Sequence, residues 1–68
     1  MKKYLELINS HNQAVFIDAN SITAIQNGAN GVAIYCIGAE HPFIVQITHF
    51  ELIKKMQEIG VFELVKFH

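Results

Sequence analysis

The sequence predicts an α+β fold: a small antiparallel sheet of four to five strands, one amphipathic helix at residues 48–59 near the C-terminus, and then a final short strand. Three observations predict it. Short apolar runs rich in Ile, Val, Phe and Tyr are separated by polar or glycine-bearing turns. One stretch alone carries a helical cap followed by apolar residues at helical spacing. The chain is 68 residues long, with no linker, repeat or low-complexity tract, so it forms one domain, residues 1–68.

The elements follow in order. Residues 4–8 (YLELI) read as a first strand, with Leu5 and Leu7 on one face and Tyr4, Glu6 and Ile8 on the other. Residues 9–13 are a polar turn, and residues 14–17 (AVFI) a second strand. Asp18, Ala19, Asn20 and Ser21 make a short turn or a single helical turn, where an Asx side chain bonds the local backbone. Residues 22–26 (ITAIQ) resume extended structure. Two Asn-Gly pairs then fall between apolar runs, at Asn27-Gly28 and Asn30-Gly31, which is a strong signal for a tight reversal. Residues 32–37 (VAIYCI) are the most β-prone run, with Val32, Ile34 and Cys36 on one face and Ala33, Tyr35 and Ile37 on the other. A strand apolar on both faces is central in its sheet or meets a partner. After a turn at residues 38–42, residues 43–47 (FIVQI) return antiparallel to it.

Thr48 and Glu51 have capping-box spacing: the threonine accepts from the glutamate amide and the glutamate reaches back. Leu52, Ile53, Met56 and Ile59 then form an apolar stripe, with Lys54, Lys55, Gln57 and Glu58 outside it. Glu51 and Lys55 stand four apart in the favourable order, and Gly60 is the expected left-handed stop. Residues 61–67 (VFELVKF) alternate, Phe62 and Leu64 against Val61, Glu63, Val65 and Phe67, and read as the last strand.

Composition narrows the function. Apolar residues are 51% of the chain and charged residues 16%, which excludes intrinsic disorder. No apolar run reaches the roughly 20 residues of a membrane span, and Glu6 and Asn9 interrupt the first apolar stretch too early for a signal peptide. The expected location is the cytoplasm, with no membrane partner. A single cysteine, Cys36, excludes an internal disulfide. Ordering costs about 1.5 kcal/mol per residue, so an unstapled domain this short balances near zero alone. Self-association is therefore expected, most simply as a homodimer.

Five lysines face six acids, with no arginine, and the isoelectric point is near 6.4. Arginine is the usual bidentate reader of phosphate and guanine, so nucleic-acid binding is not the first expectation. Its candidate contacts are Lys2, Lys3, Lys54, Lys55 and Lys66. Of the four histidines, His11, His41, His49 and His68, only His41 is placed by a predicted turn near Cys36. Such a pair is the one candidate for a metal or thiol site, but zinc requires three or four donors and no C-x-x-C or H-x-x-x-H pair is present. No phosphate loop, dinucleotide fingerprint or Ser-His-Asp arrangement occurs. The expectation is a chain that is not an enzyme and takes no cofactor.

Two family resemblances lie in the apolar spacing. Residues 20–25 (NSITAI), Val32-Ala33-Ile34-Tyr35, Phe43-Ile44-Val45 and residues 48–56, with Glu51-Leu52 in the helix, resemble the first part of a LytTR domain. The ending, residues 61–68, is similar to the stretch before that family's His-Arg-Ser. The resemblance implies a DNA-binding, transcription-associated domain. Asn20 with Ile22-Thr23-Ala24-Ile25, a hairpin and a C-terminal helix also resemble the small flagellar FlbD-type proteins, which imply no chemistry. The leading expectation from the residues is a non-catalytic, regulatory interaction module acting as a homo-oligomer. With one helix covering one sheet face, Tyr35, Ile37, Phe43, Val65 and Phe67 are the candidate contacts on the other.

Overall fold

Backbone hydrogen bonding divides the strands into a two-stranded and a three-stranded antiparallel sheet. The computed structural model describes residues 1–67. The first sheet pairs β1 (Tyr4–Ile8) with β2 (Ala14–Asp18). The second runs in the order β3 (Ile22–Gly28), β4 (Gly31–Cys36), β5 (Phe43–Val45). A single 3-10 turn, Ala19–Ser21, connects β2 to β3, and one helix, α1 (His49–Glu58), follows β5.

The α+β class and the antiparallel meander agree with the sequence reading, while the single sheet of four to five strands resolves into two. The reason lies in lengths. β5 is three residues long and spends its ladder on β4. β1 reaches it only at a corner, through an isolated bridge between Asn9 and Val45. There the Gln46 amide donates to the Ile8 carbonyl at 2.7 Å, and the Ser10 amide to the Ile44 carbonyl at 3.0 Å. The Asn9 side chain fixes the turn at this corner. Its Oδ1 accepts from the amides of His11 and Gln13, at 2.9 and 3.0 Å. Asn12 adopts φ +63, a left-handed conformation that asparagine tolerates better than most residues. The Gln46 side chain then donates to the Asn9 carbonyl at 2.7 Å. One residue thus closes the first hairpin and ties it to the second sheet.

The inner faces of both sheets and the helix share one core. Leu5, Leu7 and Ile17 come from the first sheet, Val32, Ile34 and Val45 from the second, and Leu52 and Met56 from α1. Ile34, Leu52, Val32 and Val45 are the largest fully buried side chains. The alternation read in residues 32–36 holds: Val32 and Ile34 are buried, Cys36 is half-buried and Tyr35 points outward.

The helix obeys its caps. Thr48 Oγ1 accepts from the Glu51 amide at 3.2 Å, the first of the two capping-box bonds. At the other end the Val61 amide donates to the Met56 carbonyl and the Gly60 amide to the Gln57 carbonyl, at 3.3 and 3.1 Å. This pair is a Schellman motif, and Gly60 at φ +77 supplies its left-handed residue. Lys3 Nζ donates to the Ile59 carbonyl, placing a cation at the negative end of the helix dipole.

The expected last strand does not form. Residues 61–67 carry no helix or strand. Val61 and Phe62 pack partly buried against the core, and Leu64, Val65 and Phe67 are exposed. Alternation makes a segment fit for a ladder, but a strand exists only where its backbone finds an edge. Among the described residues, no backbone–backbone hydrogen bond involves residues 62–67.

The glycines at two turns give a comparison. The β3–β4 hairpin turns through Ala29 and Asn30 between the paired Gly28 and Gly31, with the positive φ, +139, falling on Gly31. A Cβ at Gly31 would stand 2.6 Å from the Val45 carbonyl oxygen, whereas a Cβ at Gly60 would meet nothing within 4 Å. Gly60→Ala therefore carries only the left-handed conformational cost, about 1–2 kcal/mol. Gly31→Ala adds a backbone clash beside the sheet junction and is expected to lower the urea midpoint clearly further. Equal midpoints for the two variants would contradict this account.

Candidate interaction surface

Four of the large apolar side chains left outside the core, Tyr4, Phe16, Ile37 and Phe43, gather at one end of the two sheets, while others, Phe50 on α1 and Phe67 in the tail among them, stand apart. In the β1–β2 register Glu6 lies opposite Phe16 and Tyr4 opposite Asp18, all on the outer face. Phe16 and Tyr4 are thus diagonal neighbours, a spacing within reach of aromatic side chains. The 3-10 turn brings β2 round to β3, and the Ile37 amide donates to the Ser21 carbonyl at 2.8 Å, just past the end of β4. Phe43 opens β5 opposite Ile34. These elements converge on a cleft of about 350 Å³, lined by Tyr4, Phe16, Ile37 and Phe43 with Cys36 and Ser21 among its other walls. Phe16 and Ile37 are 63% and 72% exposed. Apolar side chains clustered at this exposure make the cleft the candidate contact surface.

The rim is polar. Asp18 Oδ1 accepts from the Asn20 amide at 3.0 Å, and Ser21 Oγ donates to the Asp18 carbonyl at 2.8 Å, which fixes the 3-10 turn. Lys2 Nζ stands 3.7 Å from Asp18 Oδ2. An apolar centre with a polar, charged margin is the ordinary anatomy of a protein–protein contact.

Of the five candidate contacts from sequence, two meet here, Ile37 and Phe43. Tyr35 lies on the outer face of the second sheet, paired with Ala24, and its hydroxyl donates to Gln26 Oε1 at 3.2 Å. Val65 and Phe67 are in the exposed tail. Tyr4 and Phe16 complete the cleft; the sequence offered Tyr4 only as a base-stacking group and as part of an edge strand, and Phe16 did not stand out. The available signal was that both residues 4–8 and residues 14–17 carry apolar side chains on both faces.

The lysines are spread over the molecule. Lys2 is beside Asp18, Lys3 at the C-terminal end of α1, and Lys66 in the tail. Lys54 and Lys55 share the exposed helix surface with Glu51 and Glu58. Cys36 lies opposite Ile22 on the core side of β4, while His41 is exposed in the following loop. His68 falls outside the described residues. Among the described residues, no three His, Cys, Asp or Glu side chains are grouped to hold a metal ion. No helix of the described residues is long and apolar enough to cross a membrane.

The separation of this surface from the core makes a stability contrast. Phe16→Asp replaces an exposed side chain and is expected to lower the unfolding free energy by only about 1 kcal/mol, from the like charge of Glu6 opposite and the low strand propensity of Asp, leaving the chain folded at dilutions where it is monomeric. Ile34→Asp buries an unpaired carboxylate at a fully buried position and is expected to abolish folding. Unfolding by Phe16→Asp under those conditions would place Phe16 in the core instead. Comparisons of the chain with models of protein families, with curated proteins and with solved structures find no match, so these side chains carry the functional argument.

Proposed function

We propose that this chain is a non-catalytic interaction module that works as a homodimer, joined through the aromatic cleft formed by Tyr4, Phe16, Ile37 and Phe43. The single observation that carries the reading is the convergence of these four side chains around one cleft, with Phe16 and Ile37 largely exposed. Aromatic residues in a partly desolvated pocket are the usual anchors of a protein contact. A two-fold dimer presents the same patch from both copies, so Phe16 of one copy can fill the cleft of the other. The charge pattern supports the same reading over DNA binding. Lys54 and Lys55 alternate with Glu51 and Glu58, an arrangement suited to a solvated helix face rather than a phosphate track.

The test is the mass of Phe16→Asp and Ile37→Asp by size-exclusion chromatography with light scattering. Either charge would be buried without a partner in the dimer, so both variants are expected to run as folded monomers under conditions where the parent is dimeric. Folded variants that keep the parent's mass would overturn the proposal. A parent that elutes as a monomer and binds random duplex DNA, with affinity falling as salt rises, would move the reading to the lysines.

A further inference from the structure

A second surface, at the opposite strand of the larger sheet, is an open edge. β3 is the outer strand of its sheet, and its seven residues, ITAIQNG, include no charge and no proline. Charged side chains and prolines are the usual protection of an edge against pairing with another chain. A register irregularity lies between Ile22 and Ala24, and from Ala24 to Gly28 the strand keeps a regular register with β4. Beside β3 runs a groove of about 360 Å³. Four consecutive residues of β3, Ile22, Thr23, Ala24 and Ile25, line it. At the register irregularity Ile22 and Ile25 both pack partly against the core while Thr23 and Ala24 stay exposed, so a groove lined by all four follows the margin of the strand. Ile53 and Met56 of α1 form the far wall.

The same chain carries a segment suited to that edge. Residues 61–67 alternate like a strand, and residues 62–67 make no backbone–backbone hydrogen bond among the described residues. Phe62 and Leu64 lie at the groove, yet the tail's backbone remains unpaired there. Val65 and Phe67, at 65% and 94% exposed, reach away from their own chain. Donor segment and acceptor edge are thus both present in every copy and both unused within one.

We infer that the free edge of β3 accepts the tail, residues 63–67, of a second copy, which adds a fourth strand to the three-stranded sheet. Reciprocal exchange closes with two-fold symmetry, since each copy offers one tail and one edge. Main-chain hydrogen bonds supply the attachment, and alternate side chains of the incoming strand enter the groove. This contact is separate from the aromatic cleft and does not rest on it.

The test uses two full-length chains, both with Cys36→Ala. One adds Ala24→Cys on the edge, the other Val65→Cys in the tail. The two are mixed in equal amounts, oxidised gently and weighed by non-reducing mass spectrometry. The mixed disulfide is expected well above its statistical share over the two homodisulfides. Adding Glu63→Pro to the tail chain removes a backbone donor and is expected to reduce the mixed product to that share. A five-residue strand alone holds two copies only transiently, so chains that also carry Phe16→Asp run as monomers on a column, yet the disulfide still traps their exchange and the mixed product is expected to stay above its statistical share, which separates this contact from the aromatic one. A statistical distribution would overturn the inference, as would a mixed product insensitive to Glu63→Pro or abolished by Phe16→Asp. A single chain carrying Ala24→Cys and Val65→Cys that forms only an internal disulfide would also overturn it, by assigning the edge to the chain's own tail.

Discussion

The two sheets meet at Val45, and the fold depends on that meeting. A two-stranded hairpin such as β1–β2 is marginal alone in water, and a three-stranded sheet needs something against its apolar face. The bonds from Gln46 to Ile8 and from Ser10 to Ile44 hold the two at a corner, so that Leu5, Leu7 and Ile17 face Val32, Ile34 and Val45. Asn9 makes the corner possible. It caps its own turn through the side chain, bridges to Val45 through the backbone, and receives the Gln46 amide group on its carbonyl. Leu52 and Met56 of α1 complete the core between them. The close approach of Gly31 to the Val45 carbonyl belongs to the same corner, which is why a glycine is required where the hairpin leaves its turn.

A core built this way is small. Its buried members are mostly one residue in two from short strands, and the apolar side chains on the opposite faces have nowhere to go within the chain. Tyr4, Phe16 and Ile37 are exposed for this reason, and so are Val65 and Phe67 at the tail. In a longer domain, a second layer of helices would cover such faces. Here those faces stay bare within the described residues, and the interaction role proposed above rests on that bare apolar surface. The function proposed for the chain is thus the consequence of how few residues share its core.

Local rules made much of the fold legible in advance. The Thr48 cap, the stripe of Leu52 and Met56 and the stop at Gly60 fixed the helix to within a residue at each end. The opposed faces of residues 32–36 and the hairpin at Gly28 and Gly31 followed from alternation and turn chemistry. What local rules do not carry is which edges meet. The split into two sheets depends on β5 being only three residues long, and residues 61–67 alternate without finding a ladder. The site was legible in part for the same reason. Ile37 and Phe43 were expected as contacts, but their neighbours Tyr4 and Phe16 come from the other sheet, and the 3-10 turn with the bond from Ile37 to Ser21 brings them near. Tyr35 shares a strand with Cys36 yet faces away, beside Gln26.

Whether the isolated chain leaves its aromatic face uncovered is open to direct measurement. Sedimentation velocity on the unmodified full-length chain, over a wide dilution series, measures this. The account predicts a concentration-dependent shift from dimer to monomer, little affected by added salt because the contact is apolar at its centre. A monomer at every concentration, with no change as the protein is concentrated, would contradict it.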